Sequence, residues 1–148
     1  MASNIFPFVY QKEPYSCGRD CLQMIIKYYR LNITEKILKQ LLPTGEGGIS
    51  LYSLTHGARK LGFNAIPVKC RIKELSKMVL PSIAYMNNKH YVVVFKIGNG
   101  SVLISDPANG LIIYTYERFR HEWYLQGKDY GALLVITYIP SKKYDLPI

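Results

Sequence analysis

At 148 residues and 49% hydrophobic, the chain is long enough to bury roughly 68–70% of its unfolded surface around one core, so no second domain is required. Three cysteines, Cys17, Cys21 and Cys70, make an odd count that argues against a disulfide framework and suits a reducing compartment. The net charge of +9 admits an acidic partner, but the basic residues are spread along the chain without a nucleic-acid-binding motif, and apolar stretches fall below the about 18–20 residues of a membrane span.

The opening run Met-Ala-Ser-Asn-Ile-Phe-Pro-Phe lacks the basic segment and long apolar run of a secretory signal, which predicts a soluble, cytosolic domain. A first helix is expected from Cys17 to Tyr29, with Leu22, Ile25, Ile26 and Tyr29 as its apolar stripe. A second follows from Glu35 to Leu42 behind Thr34, and a third from Leu51 to Leu61, capped by Ser50 and ended by Gly62. Ile72 to Met78 reads as a fourth. The pattern then turns to strands, at Ile66 to Lys69, Ser82 to Met86, His90 to Ile97, Val102 to Ser105, Leu111 to Tyr114 and Leu133 to Tyr138, with a short helical insertion from Glu117 to Trp123. Helices first and strands later predict an α+β fold, an antiparallel sheet with helices grouped on one side.

The segment Gln11 to Met24, QKEPYSCGRDCLQM, carries the chemistry. Cys17 opens the first helix, where free backbone N–H groups and the helix dipole favour a thiolate, the nucleophilic form of cysteine. Gln11, six positions earlier, can donate its amide hydrogen to an oxyanion, with a backbone N–H at the helix start as second donor. The blander alternative makes Cys17 a small buried hydrophobe and Gln11 a surface residue.

A base is available at the mouth of a strand. His90 follows the turn-like Asn87-Asn88 and starts a β-branched and aromatic run, and Gly98-Asn99-Gly100-Ser101 reads as a hairpin turn that returns the chain to Asp106-Pro107. Regular counting from that turn pairs Asp106 nearer Val93 than His90, so a bend, bulge or side-chain reach has to bring the two together. With that, Cys17, His90 and Asp106 form a nucleophile, a base and the residue that orients the base. Singly, a histidine beside a turn and the turn-forming Asp-Pro-Ala-Asn-Gly have ordinary explanations. Cys-x-x-x-Cys with no second pair and three scattered histidines lacks the ligand spacing of a zinc site. Lys69, Arg71, Lys73 and Lys77 make a local basic cluster whose default reading is a solvated face.

Gln11, the Cys-Gly-x-x-Cys-Leu core of Cys17 to Leu22, Met24 to Tyr29, Gly48 to Leu51, Ala58 to Phe63, His90 to Val94 and Asp106-Pro107 together resemble the C39 peptidase domain, the N-terminal protease of peptidase-containing ABC transporters that process bacteriocins. The likeness runs to about Pro140. Ser16 stands where members often carry an acidic residue, and Arg19-Asp20 where they carry small or apolar ones.

The resemblance implies a papain-like cysteine protease fold, with residues 1–140 as the peptidase domain and 141–148 as a tail or linker toward possible transmembrane domains. It implies a cysteine endopeptidase that removes the leader of a secreted bacteriocin-like peptide after Gly-Gly or Gly-Ala, coupled to export. The catalytic set would be Cys17, His90 and Asp106, with Gln11 in the oxyanion hole. No cofactor or metal is implied for proteolysis, and ATP and magnesium would belong to domains outside this chain. The implied partners are a double-glycine leader peptide and the transporter's membrane and ATP-binding domains, with no nucleic acid and no membrane insertion of this domain. Its place would be the cytoplasmic side of a bacterial cell membrane. The alternatives are a catalytically silent leader-binding module of the same fold and a basic nucleic-acid-binding protein.

Overall fold

The computed structural model describes residues 6–138, so the expected linker at 141–148 and the first five residues lie outside the described residues. The helices α1 (Cys17–Tyr28), α2 (Glu35–Leu41) and α3 (Leu51–Lys60) come first. The strands β1 (Asn64–Cys70), β2 (Ser82–Tyr85), β3 (Tyr91–Ile97), β4 (Ser101–Asp106), β5 (Gly110–Thr115) and β6 (Gly131–Thr137) follow, with α4 (Tyr116–Trp123) before the last strand. One antiparallel sheet of order β1-β6-β2-β3-β4-β5 joins all six. This is the expected α+β architecture, N-terminal helices packed on an antiparallel sheet.

Local chemistry sets most boundaries. Thr34 accepts from the Ile37 N–H, Ser50 from the Ser53 N–H and Thr115 from the Arg118 N–H, so three helices begin at side-chain caps. The α1 start is different. Ser16 makes no cap bond because its hydroxyl lies 2.7 Å from Asp20 Oδ2 and 2.9 Å from the Glu13 carbonyl.

Alternation along the strands builds two cores. Ile83, Tyr91, Val93, Leu134 and Ile136 point to one face, where α1, α2 and α3 supply Leu22, Ile25, Leu38 and Leu54. Ala84, Val92, Val94 and Leu133 point to the other, against Phe119 and Trp123 of α4 and Leu75. The helices therefore do not all lie on one side, because the sheet's central strands are apolar on both faces and each face needs a cover. Gly131 lets the Trp123 ring lie on β6: a β-carbon there would fall 2.3 Å from the indole.

The fourth helix expected from Ile72 to Met78 is present as a 3₁₀-helix over Ile72–Lys77. Its bonds run three residues back, from Glu74 N–H to Arg71 C=O and from Met78 N–H to Leu75 C=O. Leu75 is its one buried residue, too little apolar surface to hold a full α-helical segment in place.

Candidate active site

The first intrahelical bond of α1 runs from the Asp20 N–H to the Ser16 C=O at 2.9 Å, which leaves the N–H groups of Cys17, Gly18 and Arg19 without helical acceptors. Cys17 thus sits, 7% exposed, at the positive end of a helix.

Gly18 docks that helix end on the sheet. A β-carbon at Gly18 would lie 3.1 Å from Tyr91 Cδ2, so the ring packs directly on the backbone of the first turn. The Tyr91 hydroxyl donates to the Ile49 carbonyl at 2.8 Å and is thereby fixed in turn. His90, the residue before Tyr91, is carried to the same place, with its own carbonyl accepting from the Met86 N–H at 2.7 Å. It lies just outside β3, one residue before the strand that it was expected to open.

The approach of Asp106 depends on a bulge. From the hairpin turn Ile97 pairs with Val102 and Lys96 with Leu103, then the register shifts and Val94 pairs with Ile104 and Val93 with Ser105. Unshifted, Asp106 would stand opposite Val93, whose side chain faces the α1 core. With Phe95 as the extra residue, Asp106 comes opposite Val92 and onto the face that the even-numbered residues of β3 share. His90 Nε2 donates to Asp106 Oδ1 at 2.6 Å.

Asp106 has further donors. The Ala108 N–H reaches Oδ1 at 2.8 Å and Asn109 Nδ2 reaches Oδ2 at 3.0 Å. Burial pushes its carboxyl pKa up, but the bonds from His90, Asn109 and Ala108 outweigh burial and hold it below the ordinary value. An ionised carboxylate can only accept, so Nε2 is the protonated nitrogen and Nδ1 is left for Cys17. Burial disfavours the charged form of His90, yet its hydrogen bond to Asp106, the neighbouring Cys17 and the charge of Asp106 raise its pKa to about 9. An imidazolium is therefore present at neutral pH beside a sulfur at a helix N-terminus.

Gln11 lines the same cleft of about 960 Å³ as Cys17, His90, Gly47 and Gly48. Its backbone N–H donates to the Pro107 carbonyl at 2.7 Å, which straps the segment to the residue after Asp106. Its side-chain Nε2 donates to the Glu13 carbonyl at 3.0 Å and keeps a second hydrogen. Of the four residues singled out in the sequence, Gln11, Cys17 and His90 line this cleft, and Asp106 joins them from behind through its bond to His90. A second cleft, of about 990 Å³, opens beyond His90 and Asp106 toward Tyr114, Arg118 and His121, away from Cys17.

The sequence reading did not foresee Asn109, Tyr91 or Gly18 as parts of the arrangement. Asn109 had a signal, since an Asp that bonds the N–H two residues on is the usual geometry of a turn such as Asp-Pro-Ala-Asn-Gly. The turn and the site are the same feature. At the departures Ser16 and Asp20, the carboxyl comes from one turn ahead: burial raises the Asp20 pKa, against its hydrogen bond to Ser16 and the charge of Arg19.

Cys21 and Cys70 are fully buried, and burial raises both thiols, Cys21 most. Among the described residues no group of three or more His, Cys, Asp or Glu side chains is placed to hold a metal ion, and no helix is long and apolar enough to cross a membrane.

The sequence pattern of the peptidase C39 family matches residues 5–127. The lactococcin-G-processing and transport ATP-binding protein LagD of Lactococcus lactis is 35% identical over 78% of this chain, a stretch that makes up 17% of LagD. An uncharacterised protein of Methanothermobacter thermautotrophicus is 32% identical over 75% of this chain and 78% of its own length. Among solved structures, a double glycine motif protease from an AMS/PCAT transporter in complex with the leader peptide superposes with a TM-score of 0.81 at 23% identity, covering 90% of this chain and 91% of that one. The peptidase domain of Streptococcus ComA superposes with a TM-score of 0.79 at 24% identity, covering 91% and 100%. At these identities the superpositions show a common fold.

Proposed function

The chain belongs to the peptidase C39 family, and from that premise we propose that it is a cysteine endopeptidase that cleaves a leader peptide after Gly-Gly or Gly-Ala. The observation that carries this reading is that Cys17, at the open start of α1, and His90, bonded to Asp106, line one cleft. The Cys17 sulfur attacks the carbonyl carbon of the final glycine. The oxyanion that forms is met by the free N–H groups at the start of α1 and by the amide of Gln11. His90, charged at neutral pH, gives its Nδ1 proton to the leaving amine as the carbon–nitrogen bond breaks, and Asp106 holds the ring through Nε2. A water, deprotonated by the now neutral His90, then frees the leader carboxylate from the thioester.

Substrate selection follows from the cleft. Gly47 and Gly48 line the cleft with Cys17 and bring no side chains, so an extended substrate backbone can be drawn close, and restriction to a final residue no larger than alanine is part of the C39 reading. The basic balance of the chain favours an acidic leader. LagD is a processing and transport protein of which the matched stretch is a small part, and coupling of this domain to export, on the cytoplasmic side of a membrane beside transporter and ATP-binding domains, is part of the same proposal.

The test is mass spectrometry of peptides ending their leaders in Gly-Gly, incubated with the wild type and with Cys17→Ala. Cleavage after the glycine pair by the wild type alone supports the reading. Binding without cleavage would replace it with a leader-recognition module.

A further inference from the structure

We infer that Glu13 and Arg19 form a clamp that positions the Gln11 amide for the oxyanion, an inference that rests on the peptidase reading above. The stretch between Gln11 and Cys17 has no regular secondary structure, and Tyr15 within it has φ +66°, so no helix or strand geometry fixes the spacing of donor and nucleophile. A bond outside the backbone ladder has to do so. Misplacement of about 1 Å costs on the order of a hundredfold in rate.

The Gln11 backbone is strapped to Pro107, which settles the chain position but not the amide direction. Among the described residues the buried Gln11 Oε1 has no hydrogen-bond partner. The amide plane is therefore set from its nitrogen end, by the bond to the Glu13 carbonyl. That carbonyl also accepts from the Ser16 backbone N–H at 3.4 Å, so it is a junction between Gln11 and the residue before Cys17.

What holds Glu13 is its side chain. Its carboxylate is ion-paired with the Arg19 guanidinium and lies 3.6 Å from Lys39 Nζ. The hydrogen bond from Arg19, with the charge of Lys39, lowers the Glu13 pKa and favours the charged carboxylate. Arg19 is itself anchored: its side chain is 6% exposed, and its other terminal nitrogen donates to the Leu42 carbonyl at 3.0 Å. Arg19 lies two residues after Cys17 on α1. The helix that carries the nucleophile thus also carries the anchor for the oxyanion donor, and the two move as one body.

Glu13 and Arg19 are positioning residues and touch no substrate. The experiment measures steady-state cleavage of a Gly-Gly leader peptide by Glu13→Ala, Arg19→Met and Arg19→Lys, each in the wild-type and the Gln11→Ala background. In the wild-type background Glu13→Ala and Arg19→Met should lower kcat about tenfold with KM changed less than twofold, and Arg19→Lys should retain most of kcat. In the Gln11→Ala background Glu13→Ala should lower kcat less than twofold further, because the amide that it positions is gone. An equal loss in both backgrounds overturns the clamp.

Glu13 is half exposed, so its variant keeps the test valid if Arg19→Met does not fold. The Gln11 side-chain amide signals in an NMR ¹⁵N spectrum, assigned by their disappearance in Gln11→Ala, give a second readout. Glu13→Ala should move them toward the values of free glutamine while other signals stay. Unmoved signals overturn the clamp even for a chain that cleaves nothing, whereas absence of wild-type cleavage overturns the peptidase reading alone.

Discussion

The Tyr91 ring lies on the backbone of Gly18, so close that a β-carbon would meet it at 3.1 and 3.3 Å. The contact joins the residue after the candidate nucleophile to the residue after the candidate base. Since the Tyr91 hydroxyl is held by the Ile49 carbonyl, the ring has little room to yield. Gly18→Ala should therefore push β3 from α1, destabilise the fold by about 1–3 kcal/mol and lower kcat/KM more than tenfold. Urea unfolding and peptide cleavage check both parts, and unchanged cleavage would break the proposed link between this packing and the site.

The His90–Asp106 bond makes stability depend on pH in a defined direction. The folded pKa of His90, about 9, lies above its ordinary 6.5. Its contribution to stability is then full below 6.5 and lost as pH rises through about 9. The urea midpoint of the wild type should fall across that window relative to His90→Gln, which lacks the titration. In Asp106→Asn the fall should be smaller and end at lower pH, and kcat should drop about a hundredfold as His90 loses its orientation. A wild-type profile parallel to that of His90→Gln would refute the assignment.

Specificity for a small final residue gives a substrate-side test. Replacing the last glycine of a Gly-Gly leader by valine should reduce cleavage below detection, while alanine is tolerated, as the C39 reading of the cleft lined by Gly47, Gly48 and Cys17 requires. Undiminished turnover of the valine peptide in a mass-spectrometric time course would remove the steric basis of the proposed specificity.

On the other face of the sheet, Gly131→Ala probes the second core. The added carbon would stand 2.3 Å from the fully buried ring of Trp123, whose Nε1 donates to the Ala132 carbonyl at 2.9 Å. A loss of about 1–3 kcal/mol is expected from overpacking, with a red shift in emission from the single tryptophan. An unchanged midpoint and spectrum would show that the ring has another place to go.

Much of the molecule was legible in the linear sequence because the relevant forces are local. Thr34 and Ser50 as caps, the apolar stripe of Leu22, Ile25 and Ile26, and the alternating runs of the strands place most element boundaries within two residues of those observed. Cys17 at a helix start and Asp106 at a strand end are likewise properties of their own neighbourhoods, and Gln11, His90 and Asp106 could be singled out by residue type and place.

Other features are decided by neighbours that lie far away in the chain. That α4 covers the opposite face from α1 follows from a sheet apolar on both sides, which no single strand reveals. The turn at Gly98 to Ser101 predicts a regular ladder, and the extra residue Phe95 that brings Asp106 onto the side of His90 is decided by how β3 packs. Gly18 reads as one more small residue until Tyr91 is laid on it. The sequence by itself determined which groups could do this chemistry, because reactivity belongs to residue type and local backbone. Tertiary structure alone decided that they meet, because the β3–β4 register is shifted by a bulge and the Tyr91 ring is laid on a glycine some seventy residues earlier, and local propensity fixes neither.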